Sequence, residues 1–222
     1  LSRKLIAAEV KQKPGLKYWQ SEYCILENPG EAEIPGGSGG GRDLGMQTAL
    51  FVARLIHNDI AVANAASWQW WTSITRADYK DGLIYLDDGK SNGSTEPDYV
   101  RKDGEFRDSK LLWALGNYSL FVRPGMYRID VPNQNELDAA NDVMLTAYKD
   151  VQNKKLIVVA VNCGKSAQQY KFDLTKGTVK NNEFTPYTTS ETSNLKRGTV
   201  QKTDKLEIPA RSVVTFVGEL QY

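Results

Sequence analysis

The chain holds a single histidine, His57, and two cysteines, Cys24 and Cys163, among its 222 residues. One imidazole leaves zinc centres and most serine-hydrolase schemes short of ligands and bases, and two distant thiols form neither a disulfide framework nor a zinc site. No metal or cofactor is therefore expected. No apolar run reaches the ~18 residues of a membrane-spanning helix, and no amino-terminal leader pattern is present. An excess of one charge is lacking too. With 28 basic against 27 acidic residues and a formal net charge of +1, nothing draws the chain to nucleic acid or into an anionic membrane. A neutral partner such as carbohydrate is not disfavoured.

What is present is an ordinary globular composition, 41% hydrophobic and 25% charged. The stretch around which the chain is organised is residues 17–26, KYWQSEYCIL. It follows a Pro14-Gly15 break, carries Tyr18 and Trp19, and reads as a strand with one carboxylate, Glu22, toward its carboxyl end. Before it, Ser2 can cap a helix to about Lys13 with Leu5, Ile6 and Val10 on one face. After it, residues 28–41 (NPGEAEIPGGSGGG) lose all apolar periodicity and read as a flexible loop. The glycines at 36–41 lack the Lys-Ser/Thr ending of a phosphate loop.

Asp43 is placed to cap a helix over 44–59, in which Phe51, Val52, Leu55, Ile56 and Ile60 recur at helical spacing. Residues 65–71, AASWQWW, read as a second strand, and strand, helical crossover, strand is a parallel βαβ unit. Residues 72–106 are polar with Asx-Gly turns around one apolar run, 83–86, and predict a long loop with a small hairpin. Asp108 or Ser109 caps a further helix whose stripe is Leu111, Leu112, Leu115, Tyr118 and Val122, ended by Pro124-Gly125. From there the period becomes two. Runs at 127–131, 143–148, 156–162, 169–174, 184–189 and 206–217, the last broken at Pro209, predict an antiparallel β-sandwich. The expected division is 1–125 and 126–222.

Two parallel strands cannot close a sheet, so the first half is expected to need further strands, supplied upstream in the same polypeptide or by another chain. The first residue, Leu1, is not a methionine, in keeping with a processed chain or a fragment.

Three stretches give these expectations a family. KYWQSEY (17–23), ASWQWW (66–71) and LLWALGNYSLFVRPGMYRI (111–129) resemble the carboxyl-terminal part of glycoside hydrolase family 30, retaining endo-β-glycanases of clan A. The resemblance implies an α/β plus all-β protein: the last two βα units of a (β/α)8 TIM barrel followed by an antiparallel β-sandwich side domain. It maps the family's nucleophile, a Glu ending the seventh strand, onto Glu22. The acid/base Glu belongs to an Asn-Glu pair on the fourth strand, and under the resemblance that strand lies upstream of this sequence. The resemblance further implies a secreted, periplasmic or cell-surface setting and a β-linked glycan substrate, for which the WQSEY wording points to a β-1,6-linked glucan or galactan.

A retaining glycosidase needs two carboxyl groups roughly 5 Å apart, so Glu22 alone is half a machine. On residue type alone it reads more readily as a surface carboxylate at a strand end. Trp70 and Trp71 are candidate sugar-stacking residues beside Trp68, with core packing the alternative for each. Alternation sends Trp68 and Trp70 to one side and Trp71 to the other. Tyr23 and Gln20 flank Glu22 closely enough to be substrate-binding residues. A His57-Asp59-Ser21 triad is disfavoured because His57 and Asp59 do not share a helix face, and 87–96 misses the EF-hand positions. Three functions stand open: a glycanase completed by a missing barrel segment, a non-catalytic carbohydrate-binding module on an incomplete barrel, and an interaction scaffold.

Overall fold

A computed structural model describes residues 2–25, 41–87, 104–132, 142–175 and 177–221. The glycine-rich run up to residue 40, the oxygen-rich run 88–96 and the turns at 88–89 and 92–93 lie outside the described residues.

Helix α1 (Ser2–Gln12) forms as its spacing predicts but buries none of its residues, and Leu5 is 60% exposed. It leads to β1 (Tyr18–Gln20), far shorter than the strand expected over 17–26. Helix α2 spans Met46–Ala61, and its N-cap is Gly45 rather than Asp43. The Asp43 carboxylate nonetheless serves this end, accepting from Gly45 N (2.7 Å) and, in the first turn of the helix, from Thr48 N (2.9 Å). The second strand, β2 (Ala65–Trp68), pairs in parallel with β1 and stops before Trp70.

The expected loop over 72–106 is more ordered than its polarity implied. Strands β3 (Ile74–Thr75), β4 (Ile84–Asp87) and β5 (Glu105–Asp108) form a three-stranded sheet, β3 parallel and β5 antiparallel to β4. Tyr85 anchors it: its hydroxyl donates to Tyr79 O (2.7 Å) and accepts from Gly82 N (3.0 Å). A Cβ at Gly82 would lie 2.6 Å from the Tyr85 ring, so only glycine fits there. Ser109 is the N-cap of α3 (Lys110–Ser119), its hydroxyl accepting from Leu112 N. The helix ends at Ser119, short of the Pro124-Gly125 stop, and the chain then turns through Gly125 at φ +91°.

The remainder is antiparallel β as expected, with more strands than the periodicity showed. The strands are β6 (Tyr127–Ile129), β7 (Met144–Asp150), β8 (Lys155–Asn162), β9 (Gln168–Tyr170), β10 (Thr178–Val179), β11 (Glu183–Ser190), β12 (Ser193–Arg197), β13 (Gln201–Lys202), β14 (Leu206–Ile208) and β15 (Ser212–Gln221). The main sheet runs β12-β11-β15-β8-β7-β6, with β10 on β15 and β13 on β11, while β14 and β9 form a separate ribbon. Strands β10 and β13 are two residues long and β12 is largely polar, which is why period two does not reveal them.

The main sheet is buried on both faces. Met144, Tyr148, Ile157, Val159, Val161 and Val213 face α2 and α3, whereas Leu145, Val158, Ala160, Val214 and Phe216 face Leu206 and Ile208 of the ribbon. An edge-to-face trio, Phe172, Phe184 and Phe216, fills this second layer at centroid distances of 5.9 to 6.2 Å. The first layer is common to both halves of the chain, so the helices rest on the β-sheet.

One polar contact pins α3 to that sheet. Buried Asn117 donates from Nδ2 to Tyr187 O and to Thr215 Oγ1, each at 2.9 Å, and Thr215 Oγ1 donates to Asn117 O. Asn117→Ala removes the two hydrogen bonds that its amide gives to the sheet, a cost of about 1–3 kcal/mol. Urea unfolding of the full-length protein is expected to show that loss as a lower midpoint at an unchanged slope.

Candidate active site

The site lies where β1 and β2 end. Within the strands Trp19 pairs with Ser67 and Gln20 with Trp68. The backbone ladder continues past them: Gln69 N donates to Gln20 O (2.9 Å), Tyr23 N to Gln69 O (3.3 Å) and Trp71 N to Tyr23 O (3.0 Å). Tyr23 is thus bracketed by Gln69 and Trp71 and lies beside Trp70. Between the pairs Gln20/Trp68 and Tyr23/Trp70 the first strand holds Ser21 and Glu22, whereas the second holds only Gln69. The first strand therefore carries one extra residue, a β-bulge, and bulges beside functional sites re-aim a side chain. Glu22 sits in that bulge and is exposed.

The five residues singled out by sequence are brought together here in two different settings. Tyr23 and Trp70 turn inward with Trp68 and stack as a row, Tyr23 to Trp70 at 6.0 Å, Trp68 to Trp70 at 6.0 Å and Tyr23 to Trp68 at 6.4 Å. All three pack on the core beneath α2 and α3. The Trp70 indole donates to Asp81 O (2.6 Å) and the Trp68 indole to Asp59 Oδ2 (2.9 Å). Trp71 lies on the opposite side, as alternation requires, and is 53% exposed. Gln20 is half-buried, and its amide nitrogen donates to Glu22 O (2.8 Å).

Asp59, once considered as a triad partner of His57, is engaged elsewhere: Arg3 Nε donates to its Oδ1 at 2.6 Å and Trp68 to its other oxygen. Among the described residues no group of histidines, cysteines and carboxylates is arranged to hold a metal ion. Neither is any helix among them long and apolar enough to cross a membrane. The sequence reading missed Asp81. It lies at an Asp-Gly turn signal, which spoke for loop rather than for burial, yet it is 2% exposed and sits directly behind the tryptophan row. Its carbonyl accepts from the Trp70 indole and Thr72 N, and its Oδ1 is buried without a hydrogen-bond partner. Burial pushes the Asp81 carboxyl above its ordinary pKa of 3.8, against the lowering effect of its own backbone amide.

An exposed carboxylate aimed from a bulge, next to an exposed indole on the adjacent parallel strand end, is suited to nucleophilic or general-base work on a substrate with a stackable ring. Comparisons with known proteins agree in kind. Residues 1–85 match the family described as O-glycosyl hydrolase family 30. The Bacillus subtilis glucuronoxylanase XynC is 31% identical over 173 residues, covering 76% of this chain and 34% of that protein. The chain thus spans about a third of the length of the curated relatives it matches. Among solved structures, a conserved exported protein from Bacteroides fragilis superposes with a TM-score of 0.77 at 34% identity, over 97% of this chain and 42% of that one. A family 30 endoxylanase from Clostridium papyrosolvens shares the fold, with a TM-score of 0.66 at 22% identity over 98% of this chain and 46% of that one.

Because the folded state penalises ionised Asp81, its stability contribution is full below the unfolded carboxylate pKa and is lost as the pH rises through the raised folded value. Asp81→Asn is accordingly expected to raise the melting temperature at pH 7 and to bring no gain at pH 3. Thermal unfolding of the full-length protein at the two pH values reads this directly.

Proposed function

The chain belongs to O-glycosyl hydrolase family 30, and from that membership we propose that it is the carboxyl-terminal part of a secreted, retaining endo-β-glycanase whose substrate is β-xylan. The observation that carries the proposal is the placement of Glu22. It projects from a bulge at the carboxyl end of a parallel strand, the end at which (β/α)8 barrels hold their chemistry. In this reading β1, α2, β2 and α3 are the last two βα units of such a barrel, residues 126–222 form the side domain, and the remaining strands come from an upstream segment in the same polypeptide or from another chain. The exposed, unburied face of α1 and the two-stranded β1-β2 sheet support that requirement.

The mechanism follows from the carboxylate. Glu22 attacks the anomeric carbon of the bound sugar, forming a C–O bond to the enzyme while the bond to the leaving oxygen breaks. A second carboxylic acid, in the upstream segment, gives its proton to that oxygen. Water then attacks the same carbon, delivers its proton to the second carboxylate, and restores Glu22 as a free carboxylate. Trp71 offers an indole face to a sugar ring beside the reacting centre. Tyr23 and Trp70, stacked and hydrogen-bonded within the core, support the mouth from behind rather than line it.

For the substrate, β-xylan replaces the β-1,6-linked glucan or galactan expected from the WQSEY wording, because the relatives at 30% identity or more that are named for a substrate are glucuronoxylanases. Export is supported by the exported protein from Bacteroides fragilis.

In the full-length protein Glu22→Gln is expected to lower xylan hydrolysis at least about a thousandfold with the fold intact, and proton NMR of early wild-type product to show the β-anomer first. Wild-type turnover by the Gln variant sinks the nucleophile assignment, while xylo-oligosaccharide binding with no turnover by the native protein favours the non-catalytic module. Trp71→Ala is expected to raise KM roughly two- to tenfold, whereas Trp70→Phe lowers thermal stability and leaves KM near its native value. Steady-state kinetics and melting curves of the two variants separate these roles.

A further inference from the structure

Gln20 sits beside Glu22 with both ends of its amide engaged. Its amide nitrogen donates to Glu22 O at 2.8 Å, and its amide oxygen accepts from the Tyr18 hydroxyl. Tyr18 and Gln20 lie on the same side of β1, two residues apart, so the phenol reaches the amide without any strain of the strand. Because Oε1 is taken by the phenol, the amide has one orientation, and only Nε2 faces the Glu22 carbonyl. The base of this arrangement is fixed as well. Trp68, paired across the ladder with Gln20, donates to Asp59, and Asp59 is held in turn by Arg3 of α1. The Asp59 charge is felt at Tyr18, whose hydroxyl is pushed to a higher pKa chiefly by burial and next by that carboxylate.

The bulge makes this chain of contacts consequential. On the first strand the ladder groups are Gln20 O, Tyr23 N and Tyr23 O; Ser21 and Glu22 take no part in it. A residue released from the ladder can rotate about its own φ and ψ. Its side-chain direction is then set by what holds its peptide groups. The peptide unit that carries the Glu22 carbonyl is held on both sides: Tyr23 N donates to Gln69 O (3.3 Å), and the Gln20 amide donates to the carbonyl itself (2.8 Å), the shorter bond of the two and the one made by a side chain.

We propose that Gln20 is a positioning residue for Glu22, acting through the Glu22 carbonyl and locked by Tyr18, and not a sugar-binding residue. This rests on the reading of Glu22 as the nucleophile. Misplacing a reacting atom by about 1 Å costs on the order of a hundredfold in rate, so the clamp acts on the attack step and leaves substrate affinity largely alone.

The test measures formation of the glycosyl-enzyme in the full-length protein, using 2,4-dinitrophenyl 2-deoxy-2-fluoro-β-xylobioside. In that reaction a Glu22 oxygen bonds to the anomeric carbon, dinitrophenolate leaves with the electron pair, and no proton donor is required. Peptide mass spectrometry locates the label, and the rate constant is taken from the reactive fraction alone, so an unfolded fraction lowers the amplitude and not the rate. Gln20→Leu is expected to slow labelling of Glu22 roughly ten- to a hundredfold, with KM for xylan within twofold of native. Tyr18→Phe, which frees the amide to rotate, is expected to slow it about threefold or more by the same argument. Gln20→Glu keeps an acceptor for Tyr18 but can donate to the carbonyl only as the neutral acid. Its deficit relative to native is expected to deepen as the pH rises through the carboxyl range, a dependence that a purely structural role would not produce. Labelling of Glu22 at the native rate constant in Gln20→Leu overturns the proposal alone. A label found on a carboxylate other than Glu22 overturns the nucleophile reading and the proposal with it.

Discussion

The parallel ladder between β1 and β2 is the constraint on which the site depends. It joins strands that are only three and four residues long by regular assignment, yet its hydrogen bonds run on to Trp71 N and Tyr23 O. The ladder is irregular twice: between Tyr18 and Trp19 the second strand carries the extra residue, Ala66, and past Gln20 the first strand carries one in turn, an irregularity that falls on Ser21 and Glu22. A carboxylate in a regular strand would face either the helices or the opposite side by parity alone. In the bulge it is released from parity, and the peptide unit after it is held by Tyr23 N on Gln69 O and by the Gln20 amide on its carbonyl.

Behind the ladder, the packing explains why the mouth is firm although much of its surface is exposed. Tyr23, Trp68 and Trp70 form one aromatic row on the core of α2 and α3, and two of the three indole N–H groups near the site, those of Trp68 and Trp70, are bound to Asp59 and Asp81. Buried indoles need such partners, because an unpaired N–H in the interior carries a desolvation cost. The helices beneath rest in turn on a β-sheet whose strands β7, β8 and β15 are apolar on both faces. The carboxyl-terminal half is therefore a foundation for the amino-terminal half, and contacts such as Asn117 with Thr215 make the attachment specific.

Much of the architecture was legible in order and type. Helical spacing in α2 and α3, β-branched period two in β7, β8 and β15, and the Pro209 break between β14 and β15 all carry through. The misjudged boundaries share a cause. Asp43 looked like an N-cap because caps and near-caps use the same residue types, and only the backbone geometry separates them. The strand around Glu22 read as longer than it is, because propensity cannot see where a partner strand stops pairing. The three-stranded sheet of β3, β4 and β5 was nearly invisible: its strands are short, and what holds it together is the burial of Tyr85 against Gly82 and Tyr79.

By itself the sequence determined which chemistry is available here: one strand-end carboxylate, indoles on the neighbouring strand, no metal ligands in quantity and no field for a charged polymer. Those are properties of residue type and local spacing, which survive without coordinates. Only the tertiary structure decided the roles of the neighbours. That Trp71 faces out while Trp70 and Tyr23 pack inward, that Asp81 is buried, and that Gln20 holds the Glu22 carbonyl depend on which residues the two strands bring opposite each other and on what packs behind them. Register is set by contacts between segments far apart in sequence, and no pattern within either segment encodes it.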